Sequence, residues 1–448
     1  MASRSRGRLA TAAASWVERR TGATPAALWA TVVRERRTAI ALAGVAVICL
    51  LPGYSGTTGG LLTVTLPYVD SAFPVDDSDL GLGLAVVRIA ALLVVPLALV
   101  ADVRGRRRVV MVLAPFHCTL TALVALAPSF PLYIAGNAIL RASAMALQAV
   151  MAVLVVESVP ARLRGLSVSF VLTFVILGSG LGVVALPVAA LGETGLRATY
   201  AAALLLLPFV ILAVTRLPES PRYRSPAAGR WRLHRELLPR GGYGGRVALA
   251  GGAVLLVGAM FTPATEFLTR YLARELDYRP FAVASFMVVV GLTSVAALLA
   301  AGRAGDRIGR KPVGVAAASL GGLLMGATYV SGPVLVWVFG VLGQACVAAT
   351  LATLQPYASE LFPTRIRAGA HAMTLALGLV GSIVGLAATG VLSRSMGLGP
   401  AIAVLAPLPL LGAALVAARL PETASLELEV TSDEDAAAEV VTAVAPRL

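Results

Sequence analysis

Apolar residues of this chain occur in long runs that are separated by short polar segments. Most of these runs exceed the roughly 17 to 20 residues that an α-helix needs to cross a bilayer. They form two sets of six, at about 39–68, 80–100, 109–127, 132–156, 166–191 and 198–217, and at about 247–269, 280–301, 313–330, 333–357, 369–392 and 400–418. The pattern predicts an all-α membrane protein with twelve transmembrane helices.

The composition agrees with a membrane protein. Of the 448 residues, 58% are hydrophobic and 13% are charged, whereas a soluble surface requires roughly a quarter to a third charged positions. The net charge of +14 could suggest a nucleic-acid partner, but Lys and Arg separate the apolar runs instead of clustering on one soluble face. We therefore expect a lipid bilayer, and no nucleic acid, around this chain.

Neither metal nor enzyme chemistry is predicted. The three cysteines, Cys49, Cys118 and Cys346, lie inside apolar runs without the spacing of metal ligands or of a disulfide framework. No loop combines a nucleophile with a base. We therefore expect no catalytic residues, no metal and no cofactor.

The basic residues predict the orientation and the domains. Thirty of them fall at one end of the apolar runs and five at the other, and positive loops stay on the cytoplasmic side. Both termini are therefore predicted to be cytoplasmic, as an even number of spans requires. The predicted parts are a basic tail at 1–37, a six-helix bundle at 38–217, a central cytoplasmic loop at 218–246, a second bundle at 247–419 and an acidic, disordered tail at 420–448.

An internal repeat relates the two sets of spans. Residues 102–107 return at 306–311, residues 157–164 return at 360–367, and residues 218–219 return at 421–422. The offsets are 204, 203 and 203 residues. Matched motifs at one spacing indicate two six-helix halves that arose by duplication, with a binding site expected near the midplane between them.

The repeated motifs also carry a family resemblance. The loop Gly302-Arg-Ala-Gly-Asp306-Arg-Ile-Gly309-Arg-Lys311 resembles the loop motif of the major facilitator superfamily over its full length. Glu157-Ser-Val-Pro and the segment from Pro218 to Arg222 are similar to motifs of its sugar-porter and metabolite:proton symporter branch. The resemblance implies an alternating-access transporter that crosses the membrane many times, here the cytoplasmic membrane of a bacterium.

Charged residues of these motifs are interpreted as a cytoplasmic gate. A carboxylate at one helix end can hold an arginine of the next helix in a charge-assisted hydrogen bond, and glycines allow tight turns beside it. The alternative is that these residues only cap helices. The gate candidates are Asp102, Gly105, Arg106, Arg107, Glu157, Arg164, Glu219, Arg222, Asp306, Arg307, Gly309, Arg310, Glu360, Arg367 and Glu422.

The positions that bind substrate in sugar porters differ in this chain. Gln355 stands where the resemblance implies a tryptophan of the tenth helix, and Ser55 stands where proton-coupled relatives often have Asp. Hexose transport and coupling through the first helix are therefore not expected. Gln355 and Tyr54, beside Ser55, are retained as candidates for the substrate cavity.

Apart from histidines and residues at span ends, three charged residues lie inside predicted spans, where charge is costly and often functional. Arg141 shares a helix face with Gln148 and is interpreted as an anion-binding residue, the alternative being hydrogen bonds to carbonyls. Arg88 either faces the cavity or extends outward to the membrane surface. Glu266 either forms an i, i+4 pair with Arg270 or binds the coupling proton.

Two other sets of residues are interpreted as structural. His117 and His371 lie within roughly 12 Å of the predicted inner surface by helical rise, which favours packing or a place at the gate rim over proton transfer. Gly178, Gly180 and Gly182 are interpreted as close-packing positions, because no strand precedes them as in a phosphate loop.

These observations predict a monomeric transporter of a small organic solute. Two intramembrane arginines against one carboxylate favour an anionic metabolite, and the symporter resemblance implies proton-coupled uptake. The alternative is efflux of a drug or lipophilic cation, with Glu266 as the counter-charge. A sugar facilitator and a sensor without transport activity are less favoured.

Overall fold

The computed structural model of the chain describes residues 36–56, 60–94, 97, 100–101, 104–158, 164–217, 243–362 and 367–421. All regular secondary structure in these ranges is helical. Each of the twelve predicted spans coincides with a helix, and the helices are named α1 to α12 in chain order.

The helices of the first six spans include three with changes of helical type. Helix α1 runs over Arg36–Leu51, a π-helical turn at Pro52–Gly56, Leu61–Thr65 and a 3-10 turn at Leu66–Ser71. Helix α2 is Asp77–Ala90 with a 3-10 turn at Ala91–Leu93, and α6 is Glu193–Ala201, a 3-10 turn at Ala202–Leu206 and Leu207–Arg216. The others are α3 at Arg106–Val124, α4 at Phe130–Ser158 and α5 at Arg164–Ala189.

The second six spans form the corresponding set. Helix α7 is Gly244–Glu266, followed by Leu268–Arg270 and a π-helical turn at Tyr271–Glu275. Next come α8 at Pro280–Ile308, α9 at Arg310–Thr328, α10 at Leu335–Glu360 and α11 at Arg367–Met396. Helix α12 consists of Leu398–Ala403 and Pro407–Arg419.

Ten of these helices are long and apolar enough to cross a membrane. The two outside that set are α2, which the structure describes only in part beyond residue 94, and α9. Helix α9 begins on two charged residues and contains four buried glycines, which makes it less apolar than its neighbours. The predicted all-α fold is confirmed, with helix in all twelve predicted segments.

The described residues fall into two compact units. One contains residues within 1–74 and 90–229, and the other contains residues within 75–89 and 230–448. The first part of α2 thus belongs to the second unit, although the sequence places the whole span in the first set of six. The predicted domain limits stay a prediction.

A glycine contact joins α1 to α5 in the first unit. A Cβ atom added at Gly178 would lie 2.1 Å from the carbonyl oxygen of Leu50, so only glycine fits between these backbones. Gly182 is in ordinary contact with Tyr54, and Gly180 has nothing within 4 Å. The close-packing prediction is therefore confirmed for Gly178 and wrong for Gly180, because Gly180 points away from α1.

The second unit repeats this contact between α7 and α11. A Cβ atom added at Gly381 would lie 2.0 Å from the carbonyl oxygen of Leu255, and one at Gly385 would lie 1.9 Å from that of Ala259. Gly381 follows Gly178 by 203 residues, the same offset that relates the sequence motifs. The contact between the first and fifth helices of each set is therefore part of the internal repeat.

Candidate functional site

A buried ion pair links α2 to α7 in the second unit. The Nη2 atom of Arg88 lies 2.5 Å from Oε1 of Glu266, and the two side chains are 13% and 3% exposed. Glu266 is the last residue of the α-helical part of α7, and Arg88 lies in the last turn of α2. The interpretation of Arg88 as a side chain that extends to the membrane surface is therefore wrong, because a carboxylate 178 positions away in the sequence holds it.

A second ion pair joins the same two helices. The Nε atom of Arg270, which is 8% exposed, donates to Oδ1 of Asp77 at the start of α2. Glu266 and Arg270 thus each have an ion-pair partner on α2. The expected i, i+4 pair between Glu266 and Arg270 stays a prediction, and α2 adds one opposite charge to each of them.

Between the two ion pairs, α2 touches α11 through glycines. A Cβ atom added at Gly81 would lie 2.7 Å from Cα of Gly390, and one at Gly390 would lie 2.9 Å from the carbonyl oxygen of Ser78. Contact between backbones brings α2 and α11 close together beside the charged residues. Helix α2 is therefore held by one ion pair near each of its ends and by one backbone contact between them.

Arg141 is the buried charge of the first unit. It lies in the middle of α4 and is 8% exposed, while Met145 and Gln148 further along the helix are half-buried. One turn earlier, Asn137 donates to the carbonyl oxygen of Tyr133 and accepts a hydrogen bond from the hydroxyl of Tyr200. Arg141 faces protein rather than lipid, as the sequence predicts.

Tyr54 forms a buried contact inside the first unit. Its side chain is buried, and its hydroxyl donates to the carbonyl oxygen of Thr199 on α6 at 2.6 Å. Its place in a substrate cavity stays a prediction. The side chain of Gln355, the other neutral candidate taken from the family resemblance, lies outside the described part of the chain.

A polar network that the sequence did not predict surrounds His117. Its Nε2 atom is 2.8 Å from the hydroxyl of Ser55 on α1, and its Nδ1 atom is 2.6 Å from the hydroxyl of Ser143 on α4. Ser55 is also 2.9 Å from the hydroxyl of Thr121. His117 is fully buried, so it is not a gate-rim residue. The only sequence signal is the occurrence of four polar residues within apolar spans.

Neutral polar groups lie close to Glu266 in the second unit. Nε2 of Gln344 on α10 donates to the hydroxyl of Thr265 at 3.1 Å. The hydroxyls of Thr262 and Ser382, on α7 and α11, are 2.8 Å apart. Helices α10 and α11 therefore form hydrogen bonds with residues of α7 that lie within about one turn of Glu266 along the helix. Among the described residues, no three His, Cys, Asp or Glu side chains lie close enough to hold a metal ion.

The repeated loop motif has the same backbone form in both copies. Gly105 and Gly309 have φ angles of 97° and 125°, a region that favours glycine. Arg107 donates to the carbonyl oxygen of Thr215 at 3.4 Å, and Lys311 donates to that of Leu420 at 2.7 Å. The last basic residue of each copy thus caps the carboxyl end of the sixth helix of its set. These contacts agree with the capping interpretation.

The ion pairs of the expected gate stay a prediction. Arg106 and Arg310 are half-buried, and Arg307 is exposed. The other candidates, or their side chains, lie outside the described residues: Asp102, Glu157, Arg164, Glu219, Arg222, Asp306, Glu360, Arg367 and Glu422.

Solved transporter structures share this fold. The xylose transporter XylE from E. coli, in an inward open conformation, matches with a TM-score of 0.69 at 20% sequence identity, covering 88% of this chain and 98% of that chain. The nucleoside transporter NupG matches with a TM-score of 0.67 at 16% identity, covering 85% of this chain and 99% of that chain. A bacterial homolog of the human lysosomal transporter Spinster matches with a TM-score of 0.66 at 15% identity, with coverages of 85% and 96%.

At these identities the likeness concerns the fold alone. No curated protein sequence matches the chain significantly. A sequence model of the Major Facilitator Superfamily matches residues 48–271 and again residues 247–446, which together include all but the chain ends. The helical fold, the repeat and this match agree, and the chain belongs to the Major Facilitator Superfamily of membrane transporters.

Proposed function

We propose that this protein moves a small organic anion into the cell together with protons, by alternating access. The observation that carries the proposal is the buried ion pair between Arg88 and Glu266. A protonated Glu266 no longer holds Arg88 by opposite charge, and an anion that binds Arg88 takes the place of the Glu266 carboxylate as its partner. Proton binding and anion binding therefore favour each other, which is the thermodynamic requirement of symport.

The balance of buried charge supports an anionic solute. Arg88 and Glu266 cancel while both are ionised, and Arg141 adds a further positive charge. With Glu266 protonated, the side chains of these three residues carry a net positive charge. A carboxylate or phosphate solute matches arginine through paired, charge-assisted hydrogen bonds. Efflux of a cation is less favoured, because Arg88 already neutralises the carboxylate that would attract it.

The contacts of α2 supply a two-state element for alternating access. The Asp77–Arg270 pair and the Gly81–Gly390 contact hold α2 beside the same ion pair. We assign these contacts to an external gate, since the charge pattern of the chain predicts that this end of α2 faces outward. Solute binding at Arg88 would then loosen one of the contacts that keep the gate closed.

The structural neighbours are solute transporters, but the solutes in their descriptions differ from the organic anion proposed for this chain. One neighbour is described as a D-xylose-proton symporter and another as a nucleoside transporter. A proton-coupled mechanism is consistent with the first of these. The chain lacks the sugar-binding residues that the family resemblance implies, so a sugar is less favoured than an anion.

The proposal is tested first by ligand binding to the purified protein. A solute that binds only the folded state raises the unfolding midpoint. We expect organic acids to raise it, and sugars and lipophilic cations to leave it unchanged. Because anion and proton binding favour each other, the affinity for the acid should rise as the pH falls. Glu266→Gln, which removes the carboxylate, should make that affinity independent of pH.

Two arginine variants separate a specific site from general attraction. Arg141→Ala should abolish the shift produced by the organic acid, whereas Arg394→Ala, at an exposed position near the end of α11, should preserve it. The acid found in this way is then used in vesicles, where an inward proton gradient should drive its accumulation. An unchanged affinity in folded Arg141→Ala would refute the anion site. Stabilisation by cations alone, lost in Glu266→Gln, would support efflux instead.

A further inference from the structure

The hydroxyl groups of the His117 network can also donate to carbonyl oxygens of their own helices. The hydroxyl of Thr121 is 2.8 Å from the carbonyl oxygen of His117, that of Ser143 is 3.0 Å from the carbonyl oxygen of Leu140, and that of Ser55 is 3.4 Å from the carbonyl oxygen of Leu51. Each hydroxyl has a single hydrogen, so a hydroxyl that donates to its own helix faces the rest of the network as an acceptor.

The position of these hydrogens determines what the imidazole ring can do. When Ser143 gives its hydrogen to Leu140, Nδ1 can only donate to Ser143. When Ser55 gives its hydrogen to Thr121 at 2.9 Å, Ser55 accepts from Nε2 at 2.8 Å. In this arrangement both ring nitrogens donate, as they do in the doubly protonated, cationic form of His117.

The neutral ring fits the same heavy atoms after one small change. If Ser143 turns its hydrogen from the carbonyl oxygen of Leu140 towards Nδ1, that nitrogen becomes an acceptor and the ring holds one proton fewer. A main-chain carbonyl oxygen inside a helix keeps its other hydrogen bond when the hydroxyl leaves. The network thus accommodates two states of His117 that differ by one proton and by the rotation of one hydroxyl.

We propose that His117 is a proton-binding site of this transporter, with Ser55 and Ser143 as the groups that stabilise its cationic state. The site is enclosed, because all four side chains of the network are buried. A proton can therefore enter or leave only when the packing around the ring changes. The proposal adds a second proton site to the proposed symport and rests on it only for the use of that proton.

Helix α1 is the element whose movement would open this site. Ser55 lies in the π-helical turn Pro52–Gly56, a rare form that is often found at functional positions. A Cβ atom added at Gly56 would lie 2.1 Å from Cβ of Ala144 and 3.1 Å from Cε1 of His117. This turn therefore packs directly against the ring and covers it. Any shift of α1 away from α3 and α4 uncovers His117.

The groups around the ring are mostly neutral. Tyr54 on α1 and Cys118 on α3 direct their polar atoms to carbonyl oxygens of α6. Arg141 lies two residues before Ser143 on α4. The remaining described charged side chains of these three helices are near helix ends, namely Asp70, Arg106, Arg107 and Arg108. The cationic state of His117 therefore depends on the hydroxyl acceptors, which makes those acceptors the right positions for a test.

Proton binding can be measured directly without any solute. The chain has three histidines, at positions 117, 234 and 371, whose labelled imidazole signals can be assigned in the purified full-length protein with single His→Gln variants. We expect the signal of His117 to move between its neutral and cationic positions within the range from pH 4 to pH 8. Ser143→Ala removes the acceptor of Nδ1 and should lower the proton affinity about tenfold, since hydrogen bonds to charged groups contribute more than neutral ones.

Matched variants keep the test specific. Ser179→Ala removes a hydroxyl that donates to the carbonyl oxygen of Gly53 on the same π-helical turn but does not touch the ring, and it should leave the midpoint unchanged. Ser143→Thr retains a hydroxyl and should preserve the midpoint, and it serves as a second variant if Ser143→Ala does not fold. A His117 signal that keeps one protonation state from pH 4 to pH 8 would overturn the proposal. So would equal midpoints in the wild type and folded Ser143→Ala.

The two proposals fail in different ways. If His117 titrates as expected but no organic acid is accumulated by a proton gradient, the proton site stands and the proposed symport fails. If acid uptake remains proton-driven in folded His117→Gln and the His117 signal of the wild type does not titrate, the proton site fails and the coupling rests on Glu266.

Discussion

Two glycines of α5 allow a direct test of its contact with α1. Gly178 and Gly180 both lie in α5, two residues apart, and differ in what a side chain would meet. A Cβ atom at Gly178 would be 2.1 Å from the carbonyl oxygen of Leu50, whereas one at Gly180 has nothing within 4 Å. We therefore expect Gly178→Ala to destabilise the protein and Gly180→Ala to stabilise it.

The magnitude follows from that geometry. Both substitutions gain the same helix propensity, about 1 kcal/mol from Gly to Ala, so this gain cancels between them. At Gly178 the new methyl group must move more than 1 Å from the oxygen to reach ordinary contact, which separates α1 from α5. Overpacking of this kind costs roughly 1–3 kcal/mol. Gly178→Ala should therefore be less stable than Gly180→Ala by about that amount.

Thermal unfolding of the two variants in the same detergent measures the difference. For units of this size, each kcal/mol corresponds to roughly 2–4 °C in Tm. Gly385→Ala in the second unit, where the Cβ atom would lie 1.9 Å from the carbonyl oxygen of Ala259, should behave like Gly178→Ala. Equal melting temperatures for Gly178→Ala and Gly180→Ala would refute the reasoning, because they would show that α1 and α5 do not meet at this glycine.

Three further predictions concern the contacts of α1 and α2. Glu266→Ala leaves the charge of Arg88 largely buried and should lower the free energy of unfolding by about 3–5 kcal/mol. Adding Arg88→Met to the same chain should recover most of this loss, and additive losses in this double-mutant cycle would contradict the ion pair. Tyr54→Phe should cost about 1 kcal/mol in thermal unfolding and leave ligand affinity unchanged, while a loss of affinity would place Tyr54 in the binding site. Gly81→Ala should lower the melting temperature by separating α2 from α11, and an unchanged value would argue against the backbone contact there.

The sequence predicts the helices well for a physical reason. The thickness of the bilayer sets the length of each apolar run, so the run itself reports where a helix lies. The predicted span at 280–301 is helical from Pro280, and the span at 369–392 lies within Arg367–Met396. The internal repeat was visible for a similar reason, because it recurs in the order of the residues. Gly178 and Gly381 are related by the same offset of 203 residues as the repeated motifs.

The sequence could not predict which helices meet. Arg88 and Glu266 are separated by 178 positions, and nothing in the local pattern of either residue indicates the other. The i, i+4 rule suggested Arg270 for Glu266, because it considers one helix alone. The rule does not include α2, which supplies an opposite charge to both residues. The two charges were identified as important, but their partners required the fold.

The His117 network illustrates the same limit for neutral groups. A serine or a threonine inside an apolar span commonly bonds to its own helix backbone, so Ser55, Thr121 and Ser143 carry little signal individually. Helical rise placed His117 near the membrane surface, but packing by α1 and α4 buries it fully. Depth along one helix is therefore a poor guide to exposure, which depends on the neighbouring helices.

The cap formed by Lys311 has a practical consequence. The sequence contains one lysine, and its ammonium group donates to the carbonyl oxygen of Leu420 at the end of α12. An amine-directed reagent therefore has a single side-chain target in the chain, and that target is engaged while the end of α12 is in place. The labelling rate at Lys311 would report how often this end detaches, so a chemical modification experiment can follow the motion of one helix terminus without any engineered probe.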